Sequence, residues 1–226
     1  MSEGILSLWF QSFAKFRFLY LLVCILSYLI LSPMLADFAA ISLLADIFIT
    51  WMLIASVLAV SQKKRYLFIG ILLTLPMISS TWGHYLVRSR LVIILSDTFG
   101  IIFFGYTTIV ILAYVIRERN ISTNVIQAAI LVYLLMAVTW SFGYSLLEEI
   151  HPESFSLVQG QLVDRRLIFL YYSFVTITTL GYGDITPVTA TASSLAIVEA
   201  VMGQIYIAVL VARLVGVHVA QTIKGD

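Results

Sequence analysis

The chain has 226 residues, of which 61% are hydrophobic and only 11% are charged. Its mean hydropathy of +1.03 excludes an ordinary soluble domain, because such a domain covers its surface with far more charge. The formal net charge of +1, with no basic face or tail, excludes a nucleic-acid-binding protein. We therefore expect a bundle of membrane helices in a lipid bilayer.

Six apolar stretches meet or approach the length of about 20 residues that a helix needs to cross the bilayer. They lie at residues 17–35, 39–61, 66–82, 91–116, 124–148 and 190–215. The first is longer than the apolar core of a secretory signal peptide, so we expect it to be retained. The third contains Pro76, Ser79 and Ser80, which predict a kink or a tilt.

The basic residues between these spans predict the orientation of the chain. If the spans alternate in direction, nine basic residues fall on the side of the termini and four on the other side. The positive-inside rule then predicts cytoplasmic termini, and the short tails favour a bacterial inner membrane. The nine are Lys15, Arg17, Lys63, Lys64, Arg65, Arg117, Arg119, Arg213 and Lys224, and the four are Arg88, Arg90, Arg165 and Arg166.

A short apolar segment lies between the fifth and sixth spans. Residues 166–178 (RLIFLYYSFVTIT) are helix-like, but at 1.5 Å per residue they reach only about 20 Å. They are followed by Gly-Tyr-Gly-Asp and by Pro187, which a helix does not tolerate. Non-helical backbone at membrane depth must be buried in protein or line a wet path. The segment therefore predicts a re-entrant loop and a pore.

Residues 176–184 read Thr-Ile-Thr-Thr-Leu-Gly-Tyr-Gly-Asp, and this run resembles the signature of potassium channels. The chain is similar to a bacterial-type, six-span, tetrameric potassium channel of the pore-loop family, closely over residues 124–215. The resemblance implies an all-α membrane protein with six transmembrane helices, and with a re-entrant pore helix and selectivity filter between helices five and six. It also implies a four-helix domain over 1–120 and a pore domain over 121–226.

The predicted filter residues are Thr179, Leu180, Gly181, Tyr182 and Gly183. K⁺ must exchange its water for rings of oxygen atoms, which inward-facing backbone carbonyls supply. Both glycines permit backbone conformations that a Cβ penalises. The resemblance implies that K⁺ binds the carbonyls of residues 179–182. Each chain contains one filter sequence, so a ring of oxygens around an axis requires several chains. The resemblance implies that they form a homotetramer.

The resemblance also implies residues that support the filter, namely Thr176, Thr178, Tyr171, Tyr172, Asp184 and Glu199. Tyr182 is expected to point away from the axis and to pack against Tyr171 and Tyr172. Glu199 is an ionisable residue at membrane depth, which marks a functional site by default. Its expected role is a bond to the pore helix behind the filter, and the alternative is an ion site in the cavity.

The sixth span carries the predicted gate. Gly203 lies 19 positions after Asp184 and matches the hinge glycine of the family, although a close helix contact is equally compatible with glycine. Gln204, Ile207 and Val211 share one helix face and are expected to line the inner cavity.

The predicted outer mouth is rich in acidic residues, which either concentrate cations or form a solvated rim. They are Glu148, Glu149, Glu153, Asp164 and Asp184. Arg165 and Arg166 are expected to offset their charge.

The first four spans lack the features of a voltage sensor. Only Arg88 and Arg90 precede the fourth span, and no ladder of arginines follows. Steep gating needs about three to four charges per subunit, so we expect little or no voltage dependence. Asp46 and Asp97 are expected to pair with Arg88 or Arg90, and the alternative is a proton or ligand sensor.

Two other functions stay open from the residues alone. A coupled transporter or intramembrane enzyme would use Asp46, Asp97 and Glu199, but these acids occur singly and without nucleophile–base spacing. The second open function is that of a poorly selective channel or of a regulatory subunit that does not conduct. Cys24 is the only cysteine, and the three histidines lack metal-ligand spacing, so we expect no cofactor and no metal site beyond the transported K⁺.

Overall fold

The structure, a computed structural model, describes residues 2–34, 41–60, 64–83, 85, 87, 89–118, 120–157 and 164–225. Over these ranges the chain forms seven α-helices and one two-stranded antiparallel sheet. The helices are α1 (Ser2–Met34), α2 (Ile41–Val60), α3 (Lys64–Gly83), α4 (Arg90–Arg117), α5 (Thr123–Ile150), α6 (Arg165–Ile177) and α7 (Ala190–Gly225). The strands are β1 (Phe155–Leu157) and β2 (Ile185–Pro187).

Five of the described helices are long and apolar enough to cross a membrane, namely α2, α3, α4, α5 and α7. Helix α1 contributes a shorter apolar stretch, Phe16–Leu31. Helix α3 continues through Pro76 as one helix. The prediction of an all-α membrane protein is thus confirmed, whereas the crossing of the membrane by six helices stays a prediction.

Helices α4 and α5 pack closely along each other. A Cβ atom on Gly100 of α4 would lie only 2.6 Å from the ring of Phe142 on α5. The Phe142 ring stacks on Phe104, with ring centroids 5.6 Å apart. Glycine at this position therefore lets the α4 backbone approach an aromatic side chain directly, and this contact joins the first four helices to the rest of the chain.

The short helix α6 lies between α5 and α7. The Asp164 carboxylate begins it by accepting a hydrogen bond from the amide of Arg166 at 2.8 Å, as an N-cap residue does. Strand β1 before α6 pairs with strand β2 after it, with Phe155 opposite Pro187 and Leu157 opposite Ile185. The sequence did not predict these strands, because three residues are too few to show an alternating pattern.

A small aromatic core holds α5, α6, α7 and the sheet together. Its buried members are Tyr144, Phe155, Phe169, Tyr172, Ile185 and Ala192. The Tyr172 ring lies 4.9 Å from that of Tyr144 and 5.2 Å from that of Phe155, in edge-to-face geometry. Such pairs are favourable because the positive ring edge meets the negative ring face. This core fixes the position of α6, which carries the predicted filter at its C-terminal end.

Candidate functional site

Helix α6 ends in a Schellman motif. The amide of Thr179 donates to the carbonyl of Thr176 at 2.9 Å, and the amide of Leu180 donates to the carbonyl of Val175 at 3.0 Å. Thr179 occupies the left-handed position of this motif with φ = +59°. Glycine is usual there, and a residue with a Cβ loses roughly 1–2 kcal/mol in this conformation. Strain of this kind in a β-branched residue points to a functional constraint.

The backbone after α6 alternates in handedness. Thr179, Gly181 and Gly183 have φ of +59°, +56° and +80°, whereas Leu180 and Tyr182 lie outside the positive-φ region. In a regular strand, successive peptide groups point to opposite sides. A reversal of handedness at every second residue turns alternate peptide planes over. Successive carbonyl groups then face one side of the segment, and successive amide groups face the other. The sequence predicted this freedom at both glycines but not the left-handed Thr179.

The predicted filter, residues 179–183 and here called the filter segment, is exposed in the single chain. Leu180 is 58% and Tyr182 is 67% exposed, although both are large and apolar. Tyr172 lies in the aromatic core, and its packing against Tyr182 stays a prediction. Many large apolar side chains of the membrane helices are exposed in the single chain as well, so this exposure is compatible with contact to lipid or to another copy of the chain.

Asp184 fixes the far end of the filter segment. Its Oδ2 accepts a hydrogen bond from the hydroxyl of Tyr171 at 2.6 Å, and its Oδ1 accepts one from the amide of Ile185 at 3.0 Å. The hydrogen bond to Asp184 raises the pKa of Tyr171 to about 12, so the phenol stays protonated and remains the donor. The segment is therefore attached to α6 at both of its ends.

The threonines that precede the filter segment lie at the end of α6, Thr176 in its last turn and Thr178 as its C-cap residue. The Thr178 hydroxyl donates to the carbonyl of Phe174 at 2.6 Å, and the backbone carbonyl of Thr176 accepts the bond from Thr179. These bonds occupy polar groups at the helix end, where carbonyls would otherwise lack partners.

Glu199 lies on α7 behind the filter segment and is fully buried. Its Oε2 accepts a hydrogen bond from the hydroxyl of Tyr144 on α5 at 2.6 Å, and its Oε1 contacts the hydroxyl of Ser173 on α6. The expected contact with the pore helix is therefore present. The contact with α5 was not predicted, because nothing in the sequence relates Tyr144 to a residue 55 positions away.

Gly203 lies one turn further along α7, against the last residue of α6. A Cβ on Gly203 would lie 2.6 Å from the carbonyl oxygen of Ile177. The same carbonyl accepts a hydrogen bond from the hydroxyl of Tyr133 at 3.0 Å. This geometry supports the close-contact interpretation of the glycine, and its role as a hinge stays a prediction. The predicted cavity residues Gln204, Ile207 and Val211 are exposed on α7.

Two arginines at the start of α6 bind acidic residues from other helices. Arg165 pairs with Asp97 on α4 at 3.2 Å and also with Glu149 on α5. Arg166 pairs with Asp46 on α2, whose side chain is fully buried. Arg165 thus offsets the charge of Glu149, as predicted, and both arginines also neutralise buried aspartates, which the sequence did not indicate.

The predicted partner of the two aspartates also needs correction. Arg90 pairs with Glu149 at 3.3 Å and donates to backbone carbonyls at the end of α5. Arg88 lies outside the described residues. The prediction of structural ion pairs is thus confirmed, with Arg165 and Arg166 in place of Arg90 as the described partners, whereas a pair with Arg88 stays a prediction.

Most of the acidic residues predicted at the outer mouth have structural partners. Glu148 accepts hydrogen bonds from the amides of Glu153 and Phe155. Glu149 forms ion pairs, Asp164 caps α6 and Asp184 accepts from Tyr171. These acids hold the loops around the filter segment, a role that the sequence did not indicate.

Residues 121–219 match the protein family described as ion channel. The match indicates an ion channel. It covers less than half of the chain and includes α5, the sheet, α6, the filter segment and most of α7. Together with the apolar helices, it supports a channel embedded in a membrane rather than an enzyme. No curated protein and no solved structure matches the chain.

Proposed function

We propose that this protein is a potassium-selective channel that conducts K⁺ passively across the membrane as a homotetramer. The observation that carries the proposal is the alternating handedness at Thr179, Gly181 and Gly183. A backbone of this kind presents successive carbonyl oxygens on one side, where they replace the water shell of a monovalent cation. Thr179, Leu180, Gly181 and Tyr182 supply these carbonyls in the proposed channel.

The electrostatics of α6 favour a cation at the same place. The negative end of a helix dipole lies at its C-terminus, and α6 ends at Ile177, directly before the filter segment. The helix therefore stabilises a cation that has lost part of its water. The Tyr171 hydroxyl donates to Asp184, and the Tyr133 hydroxyl donates to the carbonyl of Ile177. These two hydrogen bonds hold the filter segment and the end of α6 in fixed positions relative to each other.

A closed ring of oxygens needs several copies of the chain, and the resemblance to potassium channels implies that there are four. One chain supplies a single filter segment, so the ring requires several copies around an axis. The exposed Leu180 and Tyr182 side chains fit this arrangement, since neighbouring copies would cover them. The exposed face of α7 with Gln204, Ile207 and Val211 lines the inner cavity in the same assembly.

The proposed membrane arrangement has α1 to α5 and α7 as crossing helices, with α6 and the filter segment re-entering from the outer side. Residues 1–120 form an accessory four-helix domain and residues 121–226 form the pore domain. Both termini lie in the cytoplasm of a bacterial cell, consistent with nine basic residues on that side against four.

Ion flux into proteoliposomes tests the proposal. The purified protein should pass K⁺ and Rb⁺ under a gradient and exclude Na⁺. Gly183→Ala should abolish flux, because its φ of +80° strains any residue with a Cβ. Gly143→Ala is the matched control, since its Cβ meets no atom within 4 Å and it lacks a positive φ.

Each other outcome contradicts the proposal in a distinct way. Equal passage of Na⁺ and K⁺ would indicate a poorly selective channel, and no passage would indicate a regulatory subunit. Flux that requires a second substrate would indicate a coupled transporter. Equal flux through the Gly183→Ala and Gly143→Ala variants would show that conduction does not depend on the filter segment.

A further inference from the structure

Three buried side chains from three helices meet behind the filter segment. They are Tyr144 on α5, Ser173 on α6 and Glu199 on α7, and each is fully buried. The Glu199 carboxyl contacts both hydroxyls, that of Tyr144 through Oε2 and that of Ser173 through Oε1. The Ser173 hydroxyl also lies 2.7 Å from the backbone carbonyl of Ala137 on α5.

The number of available protons decides how these contacts are made. A serine hydroxyl has one proton, and a backbone carbonyl can only accept a hydrogen bond. At 2.7 Å, the Ser173–Ala137 contact requires the Ser173 proton, because two oxygens without a proton between them repel each other. The contact between Ser173 and Glu199 then requires a second proton, which only the Glu199 carboxyl can supply. Tyr144 donates its own proton to Oε2.

The surroundings of Glu199 agree with a neutral carboxyl. The titratable side chains that face it are the phenols of Tyr133 and Tyr144 on α5 and of Tyr172 on α6. In the described part of the chain, no lysine, arginine or histidine forms an ion pair with it. A buried carboxylate without a cationic partner is strongly unfavourable, so it retains its proton instead.

We propose that Glu199 is a neutral carboxylic acid in the native protein and positions the pore helix by donating a hydrogen bond to Ser173 while it accepts one from Tyr144. Ser173 lies one turn before Ile177, where Gly203 of α7 contacts the end of α6. The carboxyl and the glycine thus attach α7 to two successive turns of α6, directly before the filter segment. The protonation state stands independently of channel function, whereas the positioning role rests on the function proposed above.

Infrared spectroscopy of the full-length protein at neutral pH tests the protonation state without any flux measurement. The wild-type protein should show the carbonyl stretch of a protonated carboxyl, and Glu199→Gln should remove it. Glu153→Gln is the matched control, because Glu153 is exposed and its replacement should leave the band in place. A band that persists unchanged in Glu199→Gln would mean that Glu199 is ionised, and would overturn the proposal.

A second variant keeps the test decisive if Glu199→Gln does not fold. Tyr144→Phe removes the donor to Oε2 but leaves the proton on Oε1. Loss of a hydrogen bond to the carbonyl oxygen should move the stretch to higher frequency. An ionised Glu199 has no such band, so an unchanged spectrum in Tyr144→Phe would contradict the proposal.

Flux measurements test the positioning role. The glutamine amide supplies an N–H donor for Ser173 and a carbonyl acceptor for Tyr144, so Glu199→Gln should keep K⁺ flux within about threefold of wild type. Glu199→Ala leaves both hydroxyls without this partner and should lower flux by about tenfold or more. Equal impairment in the two variants would overturn the role. Absence of flux in the wild type would refute the proposed function and leave the infrared result to decide the protonation state.

Discussion

Arg166 at the start of α6 forms an ion pair with Asp46 on α2, a residue 120 positions earlier in the chain. The pair joins α6 directly to α2 in the N-terminal part of the chain. Both groups are shielded from water, since the Asp46 side chain is fully buried and that of Arg166 is only 21% exposed. Removal of one member of such a pair is strongly destabilising, because the other charge is then buried without a partner.

Replacement of one member of this pair should destabilise the protein strongly. Asp46→Asn leaves the Arg166 charge without its carboxylate, and the free energy of unfolding should fall by about 3 kcal/mol or more. The midpoint of thermal unfolding in detergent measures this change. The double variant Asp46→Asn with Arg166→Gln should be more stable than the sum of the single effects predicts. Strict additivity would show that the two side chains are not coupled.

Gly203→Ala should disturb the contact between α7 and α6. The added Cβ would lie 2.6 Å from a backbone oxygen of Ile177, which cannot move aside without a shift of the helix end. Overpacking of this kind costs about 1–3 kcal/mol, and the unfolding midpoint should fall accordingly.

The matched control for this variant is Gly216→Ala on the same helix, where the Cβ meets no atom within 4 Å. It should be neutral or slightly stabilising, because alanine favours the helix. A Gly203→Ala protein with the stability of wild type but altered opening would instead support the hinge interpretation.

Arg213 in the C-terminal half of α7 connects this helix to the C-terminus of α4. Its guanidinium donates to the carbonyls of Val115, Ile116 and Glu118, which lie at the negative end of the α4 dipole. Arg213→Gln should lower stability by about 1 kcal/mol and should raise K⁺ flux, because the inner end of α7 is released. The exposed Arg117 provides the control, and equal effects of Arg117→Gln would show that the contact is without consequence.

Voltage should have little effect on conduction. Helix α4 carries arginine only at its two ends, Arg90 and Arg117, and Arg90 is held by Glu149. Moving one charge through the membrane field provides about 2.3 kcal/mol per 100 mV, so a sensor without several mobile charges cannot gate steeply. Currents across a planar bilayer under a voltage ramp measure this dependence. A steep sigmoidal rise in open probability would contradict the prediction.

Features of this protein that depend on local chemistry could be predicted from the residues along the chain. Apolar runs between charged breaks predicted α2 to α5 to within a few residues, because hydropathy is a property of each segment. Helix α1 begins well before its apolar run and α7 ends well after its own, since a helix can continue beyond the apolar residues. The short helix before Thr178 and the positive φ of Gly181 and Gly183 followed in the same way, since steric limits act on single residues.

Contacts between groups that are distant along the chain could not be predicted, because they depend on how the helices pack. Asp97 and Arg165 are 68 positions apart and pair because helix packing brings the start of α6 to the depth of the buried acid on α4. The same packing places Tyr144 against Glu199 and gives Thr179 its left-handed backbone, which the turn after α6 imposes. Burial of a polar group requires a partner at that point in space, and the spacing of residues along the chain does not carry this information.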